Sequence, residues 1–260
     1  MEYKTLDDIK GIIKAELTEA NKLYDSQLKS DVTLLANIND YVGRRKGKEL
    51  RMMLVLLSAC LKSGGVVDQK TIAFAAAMEL LHNASLIHDD IVDNADNRRG
   101  QKSVREMWGN QVAVLCGDYY LAKVMHLLLS TNDSKAIESV CTTVSEMSEG
   151  ELLQQQYMND NQAGEEIYYD IVRRKTASLM ATSCQLGWDT MRYFGMHYGM
   201  AFQIADDIND QDEDSFISKP CTDKLIAAKN SHIAEALKTL DVCPESKYKD
   251  AIRGLVSLLN

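Results

Sequence analysis

No proline interrupts this 260-residue chain before Pro220, and only one other, Pro244, follows it. Proline lacks a backbone N–H and clashes with the preceding helical turn, so its absence lets long helices run. The same stretch is dense in Ala, Leu, Met, Glu, Gln and Lys, which lose little on entering a helix. Nowhere do Val, Ile and Thr alternate between turn dipeptides, as strands require. The sequence therefore predicts an all-α fold in a single domain spanning residues 1–260.

Glycines and polar clusters cut the chain into helices over residues 6–28, 31–43, 48–62, 68–92, 111–130, 134–159, 165–186, 191–210, 223–240 and 245–259. The net charge of −9 disfavours a nucleic-acid partner, because binding that polyanion needs a basic face. The six cysteines lack metal or redox spacing and read as small buried hydrophobes in a reducing compartment. The N-terminus has no apolar leader, and the longest apolar run, 52–61, is half the ~20 residues of a membrane span. These features predict a soluble, cytoplasmic protein with no membrane span.

The chemistry concentrates in two places. His88-Asp89-Asp90-Ile91-Val92-Asp93 ends an otherwise apolar helix, with Asp89 and Asp93 on one face and His82 seven residues earlier on the same stripe. Phe202-Gln203-Ile204-Ala205-Asp206-Asp207-Ile208-Asn209-Asp210 repeats the D-D-x-x-D spacing on a second helix. One such cluster alone reads as easily as a solvated helix end. Two of them, at C-terminal ends where the macrodipole disfavours negative charge, need a cation. Two carboxylates ~4 Å apart repel by about 4 kcal/mol at an effective dielectric of ~20. Carboxylates without His or Cys partners suit Mg²⁺, which completes its shell with water and substrate phosphates. A metal-bridged diphosphate is the expected ligand.

Basic residues surround both clusters. Lys48 and Arg51 stand at i, i+3 where the third helix opens; Arg98 and Arg99 follow the first cluster; Lys175 and Thr176 lie mid-helix; Lys219 and Lys229 follow the second. Each alone reads as a solvated charge. Their placement in an acidic protein points to anion recognition.

With these motifs the sequence resembles the trans-prenyl diphosphate synthases, the all-helical polyprenyl synthetase family, over most of its length. Glu79-Leu80-Leu81-His82-Asn83-Ala84-Ser85-Leu86-Ile87-His88 and Ala113-Val114-Leu115-Cys116-Gly117-Asp118-Tyr119 carry the resemblance further. It implies an isoprenoid-synthase bundle around a central apolar cavity. It also implies Mg²⁺-dependent condensation of isopentenyl diphosphate with an allylic prenyl diphosphate, and a homodimer. Asp89, Asp93, Asp206 and Asp210 match ligands of about three magnesium ions, whereas Asp90 matches a residue that orients its neighbours. Lys48, Arg51, His82 and Arg99 match the isopentenyl diphosphate site; Arg98, Lys175, Thr176, Gln203, Lys219 and Lys229 match the allylic diphosphate site. Asp89, Asp93, Arg98, Lys175 and Asp206 would carry the catalysis.

The departures are specific. The family's Gly-Gly-Lys-Arg-x-Arg-Pro reads Lys46-Gly47-Lys48-Glu49-Leu50-Arg51-Met52 here, and the glycines expected near Lys219 and Lys229 are absent. Where the family places a bulky aromatic to stop growth early, four or five positions before the first aspartate, this chain has Ser85 and Ala84. The nearest bulky floor residues are Leu81, Met78 and Phe74, two to four turns deeper at ~5.4 Å per turn, which predicts a product of twenty carbons or more. Two other readings remain open. A terpene cyclase would have no use for Lys48, Arg51 and Arg99. An inactive regulatory subunit of a heteromeric synthase would be expected to lose one aspartate motif.

Overall fold

The computed structural model describes residues 3, 5–157, 164–209 and 220–259, and these form α-helices joined by short connections. The helices are α1 Leu6–Ile12, α2 Lys14–Gln27, α3 Thr33–Gly43, α4 Leu50–Ser63, α5 Gln69–Val92, α6 Val104–Trp108, α7 Asn110–Ser130, α8 Ser134–Tyr157, α9 Glu165–Val172, α10 Ser178–Gly187, α11 Arg192–Asn209, α12 Thr222–Asp241 and α13 Lys247–Ser257. A two-residue hairpin pairs Asn97–Arg98 (β1) with Gln101–Lys102 (β2).

The centre is α5. Asp68 caps its start by accepting the Thr71 backbone N–H at 2.8 Å. Every residue from Ile72 to Leu81 is buried, so this stretch of the helix has no solvated face and belongs to the core. It packs against α2, α4, α7 and α10. A second packed layer, α10, α11 and α12, stands beside it. The main apolar cluster runs from Tyr3 and Ile9 to Leu255 and Val256.

Four local features depart from the sequence expectation. The first helix is broken at Ile13 (φ −121°, ψ 29°), because α1 turns away to cover α13 while α2 covers α5. The break buries both Ile9 and Ile13 completely. The third helix begins at Leu50 rather than Lys48, since Glu49 takes a left-handed conformation (φ 58°). Lys48 thus lies in the loop, and its helical i, i+3 pairing with Arg51 does not form. The helix expected over 165–186 is interrupted by a π turn, Arg173–Ala177. The hairpin and α6, capped by Ser103, were not foreseen. Of the six cysteines, Cys60, Cys116, Cys184 and Cys243 are buried as expected, but Cys141 and Cys221 are exposed; all six are free thiols.

Helix α7 is long and apolar enough to cross a membrane, with mean hydropathy 1.4. Asp118, Lys123 and His126 interrupt its apolar run, which is why run length missed it. It packs against α5, α6 and α8.

Candidate active site

The first aspartate cluster closes α5, with Asp93 as its C-terminal cap. His82, Ser85, Leu86, His88, Asp89 and Ile91 are the half-buried positions of its last turns, whereas Ala84, Leu81 and Met78 are buried among neighbouring helices. Ser85 and Asp89 therefore share the open face. Burial pushes the Asp89 carboxyl up to about 6; Glu151 and Asp93 push the same way, against Lys175 and Arg98. Asp90 points inward, 2% exposed, and takes the Arg98 guanidinium through Nε at 2.8 Å and Nη2 at 2.6 Å. The middle carboxylate of this motif holds a cation of the protein itself.

The second cluster repeats this division. Asp207 accepts the Tyr168 phenol at 2.5 Å and the Gln203 Nε2 amide at 3.0 Å. Asp206, one residue earlier, is exposed at the end of α11. Asp210 and Lys219 lie outside the described residues. Among the described residues no three His, Cys, Asp or Glu side chains are gathered closely enough to cage a metal ion by themselves. Carboxylates in ones and twos fit Mg²⁺, which keeps water and phosphate oxygens in its shell.

The π turn links the clusters. Lys175 and Thr176, neighbours in this turn, bear on different partners. Lys175 Nζ pairs with Glu151 at 2.5 Å and reaches Gln154 at 3.4 Å. Burial works against its ammonium, yet Glu151, Asp89 and Asp93 hold its pKa above the usual value. Thr176 donates to Gln203 Oε1 at 2.9 Å, and so to the Asp207 cluster.

Arg98 and Arg99 are set by the hairpin. Arg99 and Gly100 both have positive φ (51° and 74°), the requirement of a tight two-residue turn. Arg99 Nη1 donates to the Arg45 carbonyl and to Asn83 Oδ1, each at 3.3 Å. Its guanidinium lies against Gly47, where any Cβ would run into it. His82 sits nearby: burial, with the Arg51, Arg99 and Arg98 guanidiniums, keeps its pKa well below the ordinary value, so the imidazole is neutral. Arg51 feels Glu79, Arg99 and, from the second cluster, Asp206. Lys48 is exposed. Lys229 is turned to the end of the chain, donating to the Leu259 carbonyl at 3.2 Å.

Three participants escaped the sequence reading. Glu151 and Gln154 sit on α8, where charged and amide side chains are indistinguishable from a solvated face. Glu79 left a signal, as the single carboxylate in the apolar stretch of α5.

The fold and site thus define an all-helical protein with two acidic helix ends joined by a cationic turn. The sequence pattern of the polyprenyl synthetase family matches residues 32–252. Heptaprenyl diphosphate synthase component 2 of Bacillus subtilis is 31% identical over 99% of this chain and 80% of its own length. The all-trans-nonaprenyl-diphosphate synthase of Rhodobacter capsulatus is 31% identical over 85% of this chain and 71% of its own. Among solved structures, a polyprenyl synthase from Caulobacter crescentus, complexed with calcium and isoprenyl diphosphate, superposes with TM-score 0.89. It covers 100% of this chain and 98% of its own at 23% identity, a likeness of fold. The chain belongs to the polyprenyl synthetase family, has its isoprenoid-synthase fold, and is a prenyltransferase.

Proposed function

We propose that this prenyltransferase condenses isopentenyl diphosphate with an allylic prenyl diphosphate, dependent on Mg²⁺, to give an all-trans polyprenyl diphosphate of twenty carbons or more. One observation carries the reading: Lys175 and Thr176, adjacent in the π turn, serve one aspartate cluster each. A single polyanion between the clusters would be gripped from both. A core shared by Tyr3 and Val256 supports one domain spanning 1–260.

In this reading Asp89 and Asp93, with Asp206 and Asp210, would hold about three Mg²⁺ ions. When bound, these supply the positive charge that weakens the allylic C–O bond. Arg98, Lys175, Thr176 and Gln203 orient the allylic diphosphate, with Lys219 and Lys229 assigned there by resemblance. Asp90 and Asp207 aim Arg98 and Gln203. Lys48, Arg51, His82 and Arg99 hold isopentenyl diphosphate, His82 as a neutral hydrogen-bonding partner. Once the diphosphate departs, the buried apolar helices exclude water from the allylic cation until the isopentenyl double bond attacks C1 and a proton passes to the released diphosphate. Ser85 on the open face, with Ala84, Leu81 and Met78 deeper in α5, leaves room for a growing chain.

A homodimer is supported by an apolar groove of about 370 Å³ along α7 and α8, lined by Leu121, Met125, Leu129, Val140 and Val144. The same groove favours a second reading, a subunit of a two-component synthase, to which the name of the Bacillus relative also points.

The test is a product assay with labelled isopentenyl diphosphate, farnesyl diphosphate as starter, and Mg²⁺ or chelator. Magnesium-dependent products of twenty carbons or more are expected. Products stopping at fifteen from shorter starters would overturn the chain-length reading. No condensation from folded protein would favour the two-component subunit.

A further inference from the structure

Glu79 is 5% exposed in the middle of α5, between Met78 and Leu80, which are fully buried. A carboxylate in such surroundings is costly unless cations compensate it. Its Oε2 has no hydrogen-bond partner among the described residues, and neither has the Nε of Arg51. Its carboxylate accepts the backbone N–H of Met52 in the first turn of α4, beside Arg51, but closes no ion pair within the described residues. That one bond leaves the second oxygen of a buried carboxylate without a partner.

The surroundings supply a reason. Glu79 lines a small hollow together with Gly47, Glu49, Asn83 and Arg99. Asn83, one turn along α5, accepts from Arg99 and donates to the Glu79 backbone carbonyl at 3.0 Å and to the Tyr24 phenol at 3.0 Å. His82, three residues from Glu79, stays neutral and offers no counter-charge. Glu49, the other carboxylate of the hollow, is committed to Lys10 at 2.7 Å. Burial raises the Glu79 pKa; Arg51 and Arg99 are the two cations that favour its charged form, and Glu79 in turn is the leading influence favouring the Arg51 cation.

We propose that Glu79 is a positioning residue for the isopentenyl diphosphate site: its buried carboxylate is the counter-charge that keeps Arg51 and Arg99 together and aimed when that site is empty. The proposal rests on the assignment of Arg51 and Arg99 to isopentenyl diphosphate. Two guanidiniums acting on one buried carboxylate repel each other, and without that anion they would splay toward water. Glu79 holds them, and an arriving diphosphate meets an assembled pair. Glu79 itself touches no reacting atom.

The experiment measures binding of isopentenyl diphosphate by calorimetry in chelator, where the aspartate clusters contribute no metal, alongside steady-state KM values for both substrates. Glu79→Gln keeps the shape and removes the charge. Loss of a charge partner predicts roughly tenfold or more weakening for isopentenyl diphosphate, with the allylic KM within about twofold of wild type. A merely structural role would lower the melting temperature or move both KM values together; either result with unchanged isopentenyl diphosphate affinity overturns the proposal. Should the Gln variant not fold, Glu79→Asp is read in the same way. Its charge stands a methylene further off, so affinity should fall by about threefold to tenfold for isopentenyl diphosphate alone, and equal changes for both substrates overturn the proposal. Wild-type protein that binds no isopentenyl diphosphate would instead refute the site assignment on which the proposal stands.

Discussion

Gly199→Ala tests whether the closeness of α11 to the π turn matters for both stability and chemistry. A Cβ at this position would stand 2.6 Å from the Ala177 Cα, 3.0 Å from its Cβ and 3.2 Å from the Met180 Cβ. Ordinary contact needs 3.4 Å or more, so the two segments must part by somewhat under 1 Å. Overpacking of this kind costs about 1–3 kcal/mol. Alanine returns about 1 kcal/mol through its better helix propensity. The net loss should be at most about 2 kcal/mol, or up to roughly 4–8 °C in Tm for a chain of this size. Gly199 lies one turn before Gln203, so the same parting stretches the 2.9 Å bond from Thr176. A displacement on that scale should lower kcat by about tenfold or more. Thermal melting and initial rates with saturating substrates read the two effects. Gly11→Ala is the control: a Cβ there meets nothing within 4 Å. That variant should melt at or slightly above wild type. A Gly199→Ala protein with unchanged Tm and kcat would refute the reasoning.

Ser85→Phe places a ring one turn before Asp89 on the open face of α5; chromatographic sizing should show shorter products, and an unaltered length distribution would count against Ser85 facing the growing chain. His197 and His232 meet through their Nδ1 atoms at 2.8 Å, with Glu235 and Tyr193 beside them. Burial lowers both pKa values, and at His232 the neighbouring His197 lowers it further. The unfolded chain therefore binds protons more readily; stability is full above the ordinary histidine pKa and falls as pH drops below it. Melting curves from pH 8 to 5 should show that fall, and His232→Gln should flatten it. Met125 and Leu129 are 58% and 61% exposed beside the α7–α8 groove. Replacing both by Asp should dissociate a dimer, as light scattering after gel filtration would reveal; a wild-type monomer would remove the groove from consideration.

What could be read in the sequence was whatever is periodic. Helices α4, α5, α7 and α11 declare themselves through composition, and both aspartate clusters through spacing alone. Asp90 was legible as a residue that orients its neighbours, but its partner Arg98 was not, since the pairing depends on a hairpin too short to leave a strand pattern. Lys48 misled because Glu49 adopts a left-handed backbone that no local propensity announces. The break at Ile13 answers to α13, at the far end of the chain, so nothing nearby in sequence encodes it. Glu151 and Gln154 acquire meaning only once α8 is laid beside the π turn.

That turn also constrains how this chain can change. A π turn amounts to one residue more than a regular helix needs, so deleting a single residue within Arg173–Ala177 would leave a straighter and better hydrogen-bonded helix. The flanking segments would keep nearly their present facing, because the wide turn absorbs its extra residue locally, but the side chains from Arg173 to Ala177 would be re-spaced. Lys175 and Thr176 could then no longer both keep Glu151 and Gln203 as partners. Selection for stability alone would favour the shorter helix. The irregular turn is thus an awkward piece of backbone that helical hydrogen bonding alone would not choose.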